Sequence, residues 1–457
     1  MKINRAYKTK LRPNRNQQAY FEQCGRVARQ AYNWVLADYM ADYQIWHAAF
    51  KRAKDAGLIP EKIQKSDWPG IQQACVDAGI VLPMKPQPSG RVARKKKLNA
   101  EKKVSPKLQF MASYPYVILE SAVDDFDAAM KRYIDAKKTG LVERRIAERL
   151  SKRPDHYKRR LAKMLEKGRV GEQLDPYFPR FKRRDDDVSF TLRGAVKVES
   201  DRVKLPVIGW VKLAERGYIP NNPIKICDAT IRHDGRDWFV SVACVVDIEQ
   251  PELHPVTLGV SVGVMDAAAT STGRVYENPR VLAQYERKKK RLNRELARRG
   301  HRNDDHSMNW GTKNDPVKNA NWLKTKQKLA ALDRKIANVR AHHQHNTSRW
   351  IADTHPERIV VKQMDIQGMM SDVPHPVAKS LADAGMGELT RQIAYKAEWT
   401  GAQVDSATGA IRCSQCGSEN IKINYGTRMM TCGACGHTMR ASVNIAINLS
   451  KIEVENA

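Results

Sequence analysis

The sequence predicts a multidomain α/β chain in which a helical lobe is inserted into a small antiparallel β-barrel, followed by a mixed α/β core interrupted by a zinc ribbon. Three observations carry this expectation. Alternating, strand-like stretches occur at Ile3 to Leu11 and again from about Tyr177 to Asp247, with helix-period sequence between them. The stretch Val256 to Met265, VTLGVSVGVM, reads as a buried strand that opens a second core. Finally, Cys413-x2-Cys416 and Cys432-x2-Cys435 have the spacing of a four-thiolate zinc ribbon.

Length and charge narrow the class further. At 457 residues the chain exceeds one ordinary core, which favours roughly two to four domains. Lys and Arg number 80 against 50 acids, a formal net charge of +30. An excess of that size repels itself in a compact molecule unless a polyanion neutralises it, so nucleic acid is the expected partner. No apolar run is long enough for a membrane helix, and MKINRAYKTKLRP lacks the apolar centre of a signal peptide. Cysteines in such a chain point to a reducing compartment and to metal binding rather than disulfides.

In chain order, Ile3 to Leu11 alternates as a strand carrying Arg5, Lys8 and Lys10, and Pro13-Asn14 punctuates it before a helix starting near Arg15. From Asp55 to Pro106 the sequence is polar and broken by Pro and Gly, so Arg91 to Lys97, RVARKKK, reads as a basic loop, free to meet phosphate if nucleic acid lies near. Tyr116 to Tyr133 reads as an amphipathic helix, and Leu141 to Lys167 as a very basic helical pair broken near Pro154. After Tyr177 the basic run Arg180, Lys182, Arg183 and Arg184 leads into the remaining barrel strands, which end with a DG turn at Asp234-Gly235. The first strand has no local partner and is expected to complete this barrel.

In VTLGVSVGVM, period two places Val260, Val262 and Val264 on one face and Ser261, Gly263 and Met265 on the other. A helix from Arg280 to Arg299 follows, with Lys288, Lys290, Arg291 and Arg294 around few apolar positions, so one side should pack and the other face phosphate. A second long helix, about Val317 to Ala352, leads to the strand RIVVKQM with Lys362 at its inward polar position, and then to a helix spanning Val377 to Trp399. In the ribbon, Gly417 and Gly436 directly follow the cysteine pairs, as knuckle turns require. Four thiolates leave no open coordination position, so Cys413, Cys416, Cys432 and Cys435 are expected to hold a structural Zn2+.

Taken together, IVVKQMDIQGM, LADAGMGELTRQIAYKAEWTG, the ribbon and ASVNIAINL, with YNW at Tyr32, FPRF at Phe178 and LPVIGWVKL at Leu205 upstream, resemble the TnpB family of transposon-encoded RNA-guided nucleases and the related small type V CRISPR effectors. The resemblance implies a wedge-type barrel in two parts, residues 1–12 and 177–250, with a helical recognition lobe at 13–176. It further implies a ribonuclease H-like RuvC domain at 251–404 and 439–457, with the zinc ribbon inserted at 405–438. The implied partners are a guide RNA and a double-stranded DNA target with an adjacent short motif, and the implied setting is the bacterial cytoplasm, at the nucleoid. By the same resemblance, motif reading falls to the start of the helix with Tyr116 and Glu120 and to the strand with Phe190 and Thr191.

The resemblance also exposes a departure. Active members carry catalytic acids in GxDxG, in the strand matching IVVKQM and in the DRD after the ribbon, where this chain has Ser261, Lys362 and Ser442. Two-metal hydrolysis needs carboxylates to hold hard cations. From the sequence alone the expectation is therefore no enzyme and no catalytic Mg2+, but an RNA-guided DNA-binding protein like the nuclease-dead TnpB-like repressors, acting by R-loop formation at a promoter. Two alternatives are a weakly active TnpB-like endonuclease and a nuclease-deficient type V effector that binds or recruits.

Overall fold

In a computed structural model the described residues are 1–60, 63–86, 90–152, 154–183, 188–221, 223–299, 301–302, 308–309, 320–371, 373–408 and 411–452. The chain divides into two compact units, Lys2–Ile248 and, with Met1, Glu249–Ala457.

The first unit begins with β1 (Lys2–Arg12) and the long α1 (Arg15–Asp55), followed by α2 (Trp68–Asp77), α3 (Arg91–Val104), α4 (Tyr116–Lys138), α5 (Leu141–Lys152) and α6 (Pro154–Leu165). It continues through β2 (Ser189–Leu192), β3 (Lys197–Val198), β4 (Arg202–Leu205), β5 (Gly209–Leu213), β6 (Lys225–His233) and β7 (Trp238–Asp247). These strands form one seven-stranded sheet in the order β2-β6-β7-β1-β5-β4-β3. The first strand of the chain therefore lies at its centre, antiparallel to both neighbours, with Tyr7 opposite Val242 and Leu11 opposite Leu213. The order is that of an open sheet among the described residues, with no ladder joining β2 to β3.

The start of α1 is fixed by a capping box, in which Asn14 Oδ1 accepts from the Gln17 amide at 2.9 Å and Gln17 Oε1 accepts from the Asn14 amide at 3.0 Å. The same Gln17 donates to the Trp210 carbonyl at 2.9 Å, joining the helix start to β5. Phe21 packs against Phe190 and Trp238, with ring centroids 5.8 and 5.0 Å apart, and Phe126 of α4 meets Tyr39 at 5.6 Å. Helix and sheet thus share an aromatic core.

The run at Arg91 to Lys97 departs from the sequence expectation: it is the first part of α3, not a loop. Arg94 and Leu98, one turn apart, are buried, and Arg94 pairs with Asp127 at 2.8 Å. Lys95 meets Asp124 at 3.1 Å and Lys97 meets Asp38 at 2.5 Å. Acids on α1 and α4 give this basic segment a structural reason to be helical, and they pair with Arg94, Lys95 and Lys97 of the run expected to face phosphate.

The second unit carries β8 (His254–Val262), β9 (Asp266–Thr270), β10 (Val275–Glu277), α7 (Val281–Arg299), β11 (His301–Arg302), β12 (Met308–Asn309), α8 (Ala320–Ala352), β13 (Pro356–Lys362), α9 (Ile366–Ser371), α10 (His375–Ala384), α11 (Met386–Thr400) and β14 (Gln403–Ala407). The ribbon strands β15 (Ile421–Asn424), β16 (Met429–Cys432) and β17 (Thr438–Arg440) precede α12 (Ala441–Ser450). Five strands form a mixed sheet, β10-β9-β8-β13-β14, in which β8, β13 and β14 run parallel and the β8–β9–β10 meander is antiparallel. Val260, Val262, Ile359, Val361, Leu389 and Ile393 build the core beneath it. The single helix expected over Val377 to Trp399 is two, because Gly385 takes φ +60° between α10 and α11 and ends the first.

Candidate nucleic-acid and metal sites

The sheet and α12 bring the three substituted positions to one end of the second unit. Val361 pairs with Val260 in the parallel ladder, so Lys362 and Ser261 follow side by side at the carboxyl ends of β13 and β8. A Cβ on Gly259 would stand 1.9 Å from the Ala446 carbonyl, so glycine here lets α12 lie directly on β8. Ser442, at the first turn of α12, donates to Asp266 Oδ2 at 2.6 Å. Ser261 is buried, whereas Lys362 is half-buried.

Asp266 is the charged centre of this corner. It is 5% exposed and accepts from Arg428 Nη1 at 2.9 Å and from Arg440 Nε and Nη2 at 3.0 and 2.5 Å. Burial raises its carboxyl pKa, but the hydrogen bonds from Arg440, Ser442 and Arg428 outweigh it, and the net shift is below the ordinary aspartate range. Glu277 lies 3.7 Å from Arg428 and 3.8 Å from Arg440. Arg428 reaches Asp266 from a backbone φ of +64°, uncommon for a residue with a side chain. Sequence reasoning missed this cluster. The signal was Arg440, a cation standing where the DRD-like segment has its first acid, two residues before Ser442.

The ribbon cysteines converge. Their four Sγ atoms all lie within 4.8 Å of one another, with Cys413 to Cys435 at 3.8 Å and Cys416 to Cys432 at 3.6 Å. A tetrahedral zinc at Zn–S of about 2.3 Å sets sulfurs about 3.8 Å apart, so the cluster fits that ion. Gly417 and Gly436 take φ of +76° and +72°, and their amides donate back to the Cys413 and Cys432 carbonyls at 2.9 and 3.0 Å. Backbone amides of the second knuckle, at Cys435 and Ala434, lower the Cys432 thiol to about 6, and amides at Cys416 and Gln415 lower that of Cys413. Those thiols are inclined toward the thiolate form that a metal takes. Among the described residues this is the one cluster of His, Cys, Asp or Glu side chains able to hold a metal.

The basic positions read from the sequence are dispersed. On β1, Arg5 lies over the Tyr7 ring, Lys8 over Phe239, and Lys10 pairs with Asp237 at 2.8 Å. Tyr116 stacks beneath Lys102 and Glu120 lies 3.8 Å from Lys95, so both are engaged with α3. Thr191 hydrogen-bonds Thr230 across the β2–β6 ladder at 3.0 Å. Lys182 lies over Tyr32 and pairs with Asp125 at 2.8 Å, while Arg180 and Arg183 are exposed. Arg184 lies outside the described residues. On α7, Lys288, Lys290, Arg291 and Arg294 are exposed, while Leu292 is buried with Leu332 and Ile336 of α8. Of the four, Lys290 pairs with Glu286 at 2.9 Å.

Comparison with known proteins agrees with this architecture. Residues 239–372 match the IS605 OrfB model described as "Probable transposase", residues 1–45 its "Helix-turn-helix domain", and residues 387–449 the "Cas12f1-like, TNB domain". Within 1–45 the structure has one strand and a single helix rather than two helices about a turn. The chain is 27% identical over 293 residues to the Escherichia coli protein named "Putative RNA-guided DNA endonuclease InsQ", covering 60% of this chain and 67% of that one. It is 30% identical over 303 residues to the Mycobacterium tuberculosis protein named "Putative RNA-guided DNA endonuclease Rv2885c", covering 60% of this chain and 61% of that one. It is also similar, at 13% identity and a TM-score of 0.29 over 98% of this chain and 99% of the other, to a structure titled "Cryo-EM structure of the Cas12f1-sgRNA-target DNA complex". The family and sequence matches support a place among the TnpB/IS605 OrfB proteins and their Cas12f1-like relatives, with a RuvC-type transposase region and a TNB region.

They also correct the expectation that the chain is not an enzyme. The relatives are named as RNA-guided DNA endonucleases, and the transposase region spans both Ser261 and Lys362. Inferring inactivity from Ser261, Lys362 and Ser442 took three side chains for the whole site and set Asp266 aside because of its strand position. The fold instead brings that carboxylate against Ser442. The expectation of no catalytic Mg2+ rested on the same inference from these three positions.

Proposed function

We propose that this chain is an RNA-guided DNA-targeting protein of the endonuclease type, which binds a guide RNA and a duplex specified by pairing with it. The observation that carries this reading is the presence in one chain of a transposase region at 239–372 and a Cas12f1-like TNB region at 387–449, the latter holding the four-cysteine metal cluster. The net charge of +30 supports a polyanionic partner. Guide pairing would supply sequence specificity, and protein contacts to a short adjacent duplex motif would start strand exchange. Tyr116, Glu120 and Thr191 are the residues we assign to that motif, and the exposed cations of α7 to phosphate. A guide matched to a promoter would place the bound complex in the path of transcription.

The test is sequencing of RNA bound to the full chain, followed by incubation of that complex with matched and mismatched duplexes and Mg2+. Discrete RNA and incision only of the matched duplex are expected. A chain that binds no RNA, or binds duplexes without regard to the guide, overturns the proposal.

A further inference from the structure

The first unit contains a cationic cleft that the reading above does not use. It lies between α6 and the strap at residues 179–183, has a volume of about 1150 Å³, and is lined by Arg159, Arg160, Lys163, Arg169, Arg180 and Arg183 among others, with no carboxylate among the described residues of its lining. That volume exceeds the ~300–1,000 Å³ of typical small-molecule pockets, and such pockets are mainly apolar where this cleft is cationic.

The strap is held in place. Asn33 of α1 accepts from the Lys182 amide at 2.8 Å and donates to its carbonyl at 2.9 Å. Lys182 also bonds Asp125 at 2.8 Å. This holds the strap that carries Phe181, a residue 40% exposed in the cleft lining. On the opposite wall, Arg159 and Lys163 are one helical turn apart on α6, and Lys167, just past the helix end at Leu165, joins the same lining. The guanidinium of Arg160 is lowered in pKa by desolvation and by repulsion from Arg149, then Arg180 and Arg169, and that of Arg169 by desolvation and by repulsion from Arg180. Like charges gathered in this way cost folding free energy, and an incoming anion relieves that cost.

Cations lining one cleft together with an exposed aromatic residue fit a nucleic-acid strand whose bases are unpaired: phosphates take the cations, and a base stacks on the ring. We propose that this cleft seats an unpaired stretch of the guide RNA, with its phosphates along Arg159, Arg160, Lys163 and Arg169 and a base on Phe181. The assignment rests on the RNA-guided reading.

The test uses the full chain with the RNA it retains on purification. In Arg159→Gln/Lys163→Gln/Arg169→Gln, the slope of log K against log salt for that RNA should fall by about two, from roughly 0.7 for each single-strand phosphate left without its cation. Thermal stability should hold or rise as repulsion is removed. Ultraviolet cross-linking of the unmodified complex, read by mass spectrometry, should attach RNA within residues 154–183 and lose the attachment in Phe181→Leu. An unchanged salt slope, absent cross-links in this segment, or equal competition by DNA of the same sequence overturns the cleft assignment. A wild-type chain that retains no RNA overturns the RNA-guided reading itself, so the two failures are distinguishable.

Discussion

Arg440 lays its guanidinium along the carboxylate of Asp266, Nε to Oδ2 at 3.0 Å and Nη2 to Oδ1 at 2.5 Å, a bidentate pair joining the last ribbon strand to the first hairpin of the sheet. Arg428, from the turn between β15 and β16, completes the grip from the ribbon side.

Replacing Asp266 with Asn should therefore loosen the ribbon against the sheet. Removing one member of a fully buried pair costs about 3–5 kcal/mol, and with Arg428 and Arg440 about a quarter to a third exposed, about 1–3 kcal/mol is expected here. Chemical denaturation would measure it, together with faster amide exchange in β16 and β17.

The same pair sets a pH dependence. The folded Asp266 carboxyl has a lowered pKa, so its contribution is present above the unfolded value of about 3.9 and is lost as pH falls through the folded value. The stability difference between wild type and Asp266→Asn should accordingly be constant near neutrality and shrink below about pH 4. A difference that stays constant well below about pH 4 would show that the carboxylate charge is not what holds the ribbon.

Much of this architecture was legible in the sequence because it depends on local patterns. The cysteine spacing, the strand at Val256 to Met265 and the basic helix at Arg280 to Arg299 each carry their own periodicity. What was not legible depends on distant partners. Arg94 and Lys97 read as loop cations because Asp127 and Asp38, which pair with them, lie on other helices. Asp266 looked incidental for the same reason, since Arg428 and Arg440 come more than 160 residues later. The break at Gly385 was missed because apolar periodicity continues through it, and only the positive φ separates α10 from α11.

Zinc removal is a further test. Cys432→Ser should abolish stoichiometric zinc measured by elemental mass spectrometry. Because folding free energy of such small modules is largely metal-binding free energy, β15–β17 should lose amide protection. The core containing Val260 and Ile359 should keep its protection, since it is built from the five-stranded sheet and its helices.

Neutralising Lys288, Lys290, Arg291 and Arg294 to Gln should weaken RNA or heteroduplex binding and lower the log-log salt slope, by about one or somewhat less for each phosphate that no longer meets a cation. Lys290 should contribute least, because Glu286 already pairs with it. Filter binding over a salt series measures the slope, and an unchanged slope would remove α7 as a phosphate surface.

The last prediction concerns Gly259, where β8 and α12 touch. An alanine there would bring its methyl to within 1.9 Å of the Ala446 carbonyl and 2.7 Å of the Ser450 amide, both backbone atoms of α12 that cannot rotate away. Overpacking of a core side chain costs about 1–3 kcal/mol, and a clash with helical backbone belongs at or above the upper end. The helix must move off the strand, and Ser442 at its first turn would be drawn from Asp266. Gly259→Ala should thus lower the midpoint of thermal unfolding and also reduce the pH dependence that Asp266 confers. In contrast, Gly273→Ala, where a Cβ meets nothing within 4 Å but φ is +86°, should cost only backbone strain and leave that dependence intact. If the two variants lose the same stability and keep the same acid response, α12 is not held on β8 by this contact.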